Sequence, residues 1–459
     1  MASPAIPEPR AAPWVRATLA LAVVLPLVLA ALLLVGDGWL SDTHGAFLQR
    51  VRFAMDRGRL ELLGFEYPPL PFLLLTIWPS VVMPLVLGAL GMVGLGWLIT
   101  GECTDRRSML PLVLLVCATW TPIGIHLVAS DFNETIGLLV LFLAWRYYRR
   151  WWSSRHTVYG LYTGILLGVA FYTSPLGLAL ALFAGALLPL LFPRLQIPPF
   201  SSQLVLLAFP GMAATATWAY LSWVFVGRVA FPFTPWEPQS PTVLTILSWT
   251  VPYLVVSALA MLRREAQTAG VLLPLLLLAF ADRIGWHFSL AYAVLLVTLV
   301  AIVALPRDLH RVTRMVVGSV AVGQALVAWW LVPWPTLVPR DLAARAVAEA
   351  LAGAPPRSIL IDDRYAETLL KWSSSMRPYL TTRDTGFEVA LAQPASQVRY
   401  VVATADDEGL TLDADRRPPP GFLLEWSWAG YTLWRRPDAS PRPVRFDALP
   451  DPSVLESSP

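Results

Sequence analysis

A carboxylate stands a few residues beyond the first hydrophobic run, at Asp42 in Gly38-Trp39-Leu40-Ser41-Asp42-Thr43-His44. It opens a polar loop over residues 41–66 that carries Arg50, Arg52, Asp56, Arg57, Arg59, Glu61 and Glu66, and that closes in Tyr67-Pro68-Pro69-Leu70. A few residues would suffice to join two membrane spans, so a long and charged connection is the kind of segment that builds a site. Asp42 could act as general base toward an acceptor hydroxyl or amine, or ligate a divalent cation. The same residue also reads as the N-cap of a helix over 43–56, because Ser or Asp before a helix is a common start signal.

A second pair of acids, Asp131 and Glu134, opens another apolar run in Ala129-Ser130-Asp131-Phe132-Asn133-Glu134. Three residues apart, they share one face if the helix already includes Asp131. Acids also favour a helix N-terminus, which is the structural alternative. Ionisable groups beside a span are costly and usually line a cavity or pair with one another. The cations on the same side are Arg228, Arg283 and His287; the planar fork of an arginine matches phosphate geometry. Arg283 and His287 are spaced for one helix face at the start of a late span, and snorkelling to the interface is their structural alternative. Asp362-Asp363 follows a strand and reads as a solvated loop and cap. Walker, HExxH, GxSxG and Cys/His zinc spacings are absent from the sequence.

These residues must be held by membrane helices. Hydrophobic residues make up 56% of the chain, charged residues 14%, and mean hydropathy is +0.58. Continuous apolar runs of about 20 residues recur over the first 335 positions, the length that crosses a bilayer core. Their continuity excludes a closed β-barrel. Spans are expected near 15–35, 80–100, 108–127, 134–150, 157–173, 175–192, 203–226, 243–261, 269–281, 287–305 and 312–332. The fold class is therefore an all-α polytopic membrane bundle of about eleven transmembrane helices with a small C-terminal α/β domain. The expected division is 1–339 for the bundle, including the loop 36–69, then 340–437 for the soluble domain and 438–459 for a disordered tail. In the soluble part, strands are expected over 358–361 and 398–403, a helix over 364–372, and a hairpin of 422–428 with 431–435.

Arginine placement orients the bundle. With the N-terminus in the cytoplasm, 14 Arg fall on the inner side of the membrane part and 6 on the outer side. An odd span count then places the C-terminal domain outside, in the envelope of a cell whose plasma membrane the chain crosses many times. Asp and Glu are skewed the other way, as an acid-lined outer cavity would require. Arg10 and Arg16 before residues 19–35 could mimic a signal peptide, but the run is long and is read as a retained first span. No basic stripe with interleaved aromatics appears, so nucleic acid is not an expected partner. The two cysteines, Cys103 and Cys117, lie in the membrane part, which leaves no disulfide framework for the C-terminal domain. Lys371 is the single lysine beside 33 arginines.

Taken in order, the run Ser41–Phe47, Gly58-Arg59-Leu60 and Gly64-Phe65-Glu66-Tyr67-Pro68-Pro69-Leu70-Pro71-Phe72 resembles the first outer loop of the GT-C glycosyltransferases, among them the aminoarabinose lipid A transferase and protein O-mannosyltransferase families. The block Glu134–Arg150 followed by the Gly-rich stretch Tyr159–Pro175 is similar to their next signature. The segment Arg283-Ile284-Gly285-Trp286-His287-Phe288 is similar to a basic-aromatic element before a late span. The resemblance covers roughly residues 14–335, and its strength lies in the order of the motifs. Thr43 stands where the family usually has Glu, and Asn133 where it commonly has Pro.

The resemblance implies a glycosyltransferase that moves a sugar from a polyprenyl-phosphate donor to a lipid, glycan or protein acceptor of the envelope, on the outer face of the membrane. Asp42 matches the acid of the first-loop motif, the implied base or site-organising carboxylate. Glu134 matches the second acid, with Asp131 as its rival. His44, Glu66, Tyr67, Arg228, Arg283 and His287 are the implied substrate-binding residues. The cofactor stays unknown, with a divalent metal one option. Two alternatives stand beside this reading: a transporter or flippase of lipid-linked sugars, and a non-catalytic membrane scaffold. The crowding of ionisable residues on one side and the lack of an internal repeat weigh against the transporter.

Overall fold

The computed structural model describes residues 12–36, 38–59, 69–154, 156–174, 200–227, 229, 241–262, 268–283, 288–305, 309–331, 342–404, 420–428 and 430–442. Its helices are α1 (Pro13–Gly36), α2 (Asp42–Arg57), α3 (Pro69–Thr76), α4 (Met83–Arg106), α5 (Leu110–Thr119), α6 (Pro122–Ser130), α7 (Phe132–Ser154), α8 (Thr157–Phe171) and α9 (Phe200–Val226). There follow α10 (Val243–Ser248), α11 (Val251–Leu262), α12 (Thr268–Arg283), α13 (Leu290–Ala304), α14 (Arg311–Leu331) and α15 (Leu342–Leu351). The rest is β1 (Ile359–Leu360), α16 (Glu367–Trp372), β2 (Tyr379–Leu380), α17 (Phe387–Ala392), α18 (Pro394–Gln397), β3 (Tyr400–Thr404), β4 (Leu423–Trp428) and β5 (Tyr431–Arg435).

The chain is a multi-pass membrane protein. Among the described residues, four helices are long and apolar enough to cross a membrane: α1, α4, the 205–226 part of α9 and the 311–330 part of α14. The pair α5 and α6 makes a fifth if read as one broken span. That pair occupies the expected 108–127 run, but bends by 74° between its halves. Pro122 is the cause within reach: it starts α6 behind the N-cap Thr121, whose hydroxyl accepts from Gly124 N at 3.3 Å, and a proline cannot continue the ladder of the helix before it. The 243–261 run is likewise two helices, α10 and α11, with Pro252 at the second position of α11. The expected 175–192 span lies outside the described residues.

Two compact units emerge. The first comprises residues 1–32, 66–70 and 85–337, the second residues 33–65, 71–84 and 338–459. In the first, Gly164 of α8 packs against α9 so closely that a Cβ would lie 2.1 Å from Leu206 O. Only glycine permits that approach, and small residues of this kind bring membrane helices together where no hydrophobic gain would. Large side chains such as Leu25 and Leu29 on α1, and Met315, Leu326 and Trp330 on α14, remain exposed, as a lipid-facing surface requires. Near the end of α4, Glu102 is buried and meets Arg149 at 2.9 Å, Arg106 at 3.5 Å and Arg146 at 3.7 Å.

The second unit joins α2 of the first loop to a five-stranded sheet of order β2-β1-β3-β5-β4. Strands β1, β2 and β3 run parallel, while β5 is antiparallel to β3 and to β4. Strand β3 is buried on both faces: Tyr400 and Val402 enter one core, Val401 and Ala403 the other. Phe53 and Ala54 of α2 belong to the first of these cores, with Val347, Ile361, Leu369 and Tyr379. The sequence reading grouped the loop with residues 1–339; here its helix is part of the core that the C-terminal residues build. Strands β1, β3, β4 and β5 fall where the β-rich runs predict them, including the hairpin of β4 and β5, while β2 was not expected. Residues 438–442, read as the start of a disordered tail, lie along this unit: Ala439 is buried, and Tyr400 Oη donates to Ser440 O at 2.6 Å.

Candidate functional site

The polar residues form two clusters, one within each unit. The first is built at the N-terminus of α2. Ser41, not Asp42, is the N-cap: its extended backbone (φ −67°, ψ 151°) turns the chain into the helix, and its hydroxyl accepts from His44 N at 3.2 Å. The capping role that competed for Asp42 is thus already filled one residue earlier. Asp42 becomes the first helical residue, with its side chain 74% exposed. His44, expected to touch substrate, is fully buried.

Lys371, at the end of α16, reaches α2 from a position 329 residues away in sequence. Its Nζ donates to Asp42 Oδ1 at 2.9 Å and to Leu40 O at 3.1 Å. The lysine side chain is only 1% exposed. Its stem lies flat against the backbone at Gly45, where an added Cβ would stand 2.5 Å from Lys371 Cβ and 2.6 Å from its Cδ. Sequence reasoning did not place Lys371 in the site. The signal was present in the composition, as the one lysine among so many arginines.

Two of the remaining loop cations, Arg52 and Arg57, have structural employment. Arg52 is buried and donates to Lys371 O at 3.1 Å, Ser373 O at 2.6 Å and Pro79 O at 3.1 Å. It closes the C-terminal end of α16, where carbonyls lack helical partners. Burial lowers its pKa to about 10, with the charge of Asp56 opposing, so it stays cationic at neutral pH. Arg57 grips Asp384 with two nitrogens at 2.7 and 3.0 Å and also donates to Tyr379 O. Asp56 accepts from Ser375 Oγ and Met376 N. Arg52 and Arg57 are therefore committed to holding α2 in place. Glu367, the first residue of α16, senses this group: crowding by protein raises its carboxyl pKa although its side chain reaches solvent, with Arg50 opposing and Asp42 adding to the rise.

The second cluster lies in the first unit. Asp131 is not helical: it sits between α6 and α7 with φ −127°, so it shares no helix face with Glu134. Its carboxylate is buried, with Oδ2 3.5 Å from His126 Nε2, while His126 Nδ1 is 3.0 Å from Ser130 Oγ. Glu134, in the first turn of α7, accepts from Ser289 Oγ at 2.6 Å. Ser289 is in turn the N-cap of α13, accepting from Tyr292 N. The carboxylate of Glu134 thus stands near the starts of two helices, where a negative charge is favoured.

Arg283 is exposed in the last turn of α12, at the close of one helix and not at the opening of the next, a position where a cation suits the dipole. Glu66, Tyr67, Arg228 and His287 lie outside the described residues, and so does the shared face expected for Arg283 and His287. Among the described residues, no group of three or more His, Cys, Asp or Glu could hold a metal ion. Asp42 offers one carboxylate with a lysine against it, a donor set that does not amount to a cation cage.

No protein-family model matches the sequence, and no curated protein matches it. Among solved structures, the crystal structure of ArnT from Cupriavidus metallidurans bound to undecaprenyl phosphate superposes with a TM-score of 0.59 at 14% identity, over 93% of this chain and 98% of that one. The chain therefore shares the fold of that structure over nearly its whole length.

Proposed function

We propose that the protein is a glycosyltransferase that uses a polyprenyl-phosphate-linked sugar and passes the sugar to an envelope acceptor on the outer face of the plasma membrane. The observation that carries this reading is the fold, shared over nearly the whole chain with a protein bound to undecaprenyl phosphate. The solvent-facing carboxylate of Asp42, relieved of capping duty by Ser41, supplies a group for the chemistry.

In the proposed reaction the bond between the anomeric carbon and the phosphate oxygen breaks, and the electron pair leaves with the lipid phosphate. An acceptor oxygen or nitrogen forms the new bond from the opposite face. Asp42 takes the acceptor's proton. Arg283, Arg228 or an arginine of the first loop would stabilise the developing phosphate charge. Glu134, braced by Ser289, serves as the second acid of the motif. The N-terminus is cytoplasmic in this reading, and the C-terminal α/β domain is extracytoplasmic.

The test uses the full chain in proteoliposomes, with undecaprenyl-phosphate-linked hexoses and aminoarabinose as donors and release of undecaprenyl phosphate as readout. Asp42→Asn should lose turnover by orders of magnitude at unchanged expression. Since Asn keeps an acceptor for Lys371, wild-type turnover in that variant would remove Asp42 from the chemistry.

A further inference from the structure

We propose that Lys371 is a positioning residue for Asp42, so that a side chain of the C-terminal α/β assembly sets the carboxylate on which sugar transfer depends. The inference rests on the assignment of Asp42 above and extends it to a residue outside every motif.

Four observations carry it. The pair is asymmetric: the ammonium is buried while its carboxylate is mostly in water. Such a pair is a poor device for stability, because the lysine bears the desolvation cost and the exposed acid returns little. An apolar side chain would fill the same space. Second, the ammonium grips two points of the segment that enters α2, Leu40 O before the cap and Asp42 Oδ1 after it. Third, the stem is fixed along its length, pressed on the backbone at Gly45, where no larger residue fits without a shift. Fourth, the carbonyl of the same lysine is held by Arg52, which also ties down Ser373. Both ends of Lys371 are thus anchored to one helix, and the free choice left to the assembly is where the carboxylate points.

Lys371→Met keeps the volume and removes the charge. Turnover in proteoliposomes should fall roughly 10–100-fold, the cost of a small misplacement of a reacting group, while the donor KM stays within about twofold because Lys371 does not touch the donor in this account. Gly45→Ala, which keeps both charges and displaces only the stem, should lower turnover in the same way. Wild-type turnover in Lys371→Met, beside an inactive Asp42→Asn, would overturn the positioning role and leave the assignment of Asp42 standing. Wild-type turnover in Asp42→Asn would remove both.

The pairing can also be read without any donor, by a double-mutant cycle on the unfolding midpoint of the full chain in detergent. Lys371→Met should shift the midpoint less in an Asp42→Ala background than in the wild type. Strict additivity would mean that the two side chains are not coupled, and the proposal would fall.

Discussion

Replacing Arg52 by methionine isolates the joint between the loop helix and the C-terminal sheet. The guanidinium makes three hydrogen bonds to carbonyls, two of them on Lys371 and Ser373, which are buried. Bonds from a charged donor contribute roughly 1.5–3 kcal/mol each. Against them stands the cost of burying the charge, read from a pKa lowered from 12.5 to about 10; at about 1.4 kcal/mol per pH unit this is about 3 kcal/mol. The bonds win, and Arg52→Met should destabilise the second unit by roughly 1–5 kcal/mol. Methionine keeps the apolar contacts of the stem, so the loss is that of the bonds. Hydrogen exchange in detergent reads the effect locally: amides of α16 and β3 should exchange faster, while those of α8, in the first unit, should not change. Arg52→Lys, with a point charge in place of the fork, should fall between. Protection in α16 and β3 equal to wild type in Arg52→Met would show that the joint does not depend on these bonds.

The Arg57–Asp384 pair should make stability depend on pH. Burial pushes the Asp384 carboxyl up, but the Arg57 fork and the Thr381 amide outweigh it, and the net pKa lies below 3.8. A depressed carboxylate contributes stability above its unfolded pKa and loses it as pH falls through the folded value. The gap in unfolding midpoint between wild type and Asp384→Asn should therefore be full at pH 6 and close below pH 3.8; a gap that widens on acidification would contradict the assignment. A reporter fused at the C-terminus should be active only outside the cytoplasm, given the arginine asymmetry. Activity in the cytoplasm would invert the topology and remove the outer face from the proposed reaction.

Local signals made much of this fold legible. The helices α1, α4, α7, α8, α9 and α14 lie where apolar runs predict them, and the Val-rich run 398–403 is the doubly buried β3. Breaks within runs were visible only as prolines: Pro122 and Pro252 stand where single expected spans become two helices. Hydrophobicity reports that a segment is buried in lipid or protein, not that it is straight. At Ser41-Asp42 two good capping residues compete, and the backbone angles of Ser41 decide the matter. Asp42 could be singled out as a candidate because loop and motif are local. Lys371, Arg52 and Asp384 were not, because their partners lie more than 300 residues away and no single sequence encodes such pairings in its spacing.

That distance has a consequence for how the protein is made. Lys371 follows Asp42 by 329 residues, which at about 5–20 residues per second is roughly 15–65 s of translation. Throughout that interval α2 has left the ribosome with Phe53 and Arg52 facing partners that do not yet exist. The loop must wait at the membrane, unfinished, while the bundle is inserted behind it. A chain cut short before residue 371 would carry a proposed catalytic acid with nothing to hold it, and an apolar helix face open to proteases and chaperones. The loop helix and the C-terminal sheet share one core, so neither can complete its packing before the other exists.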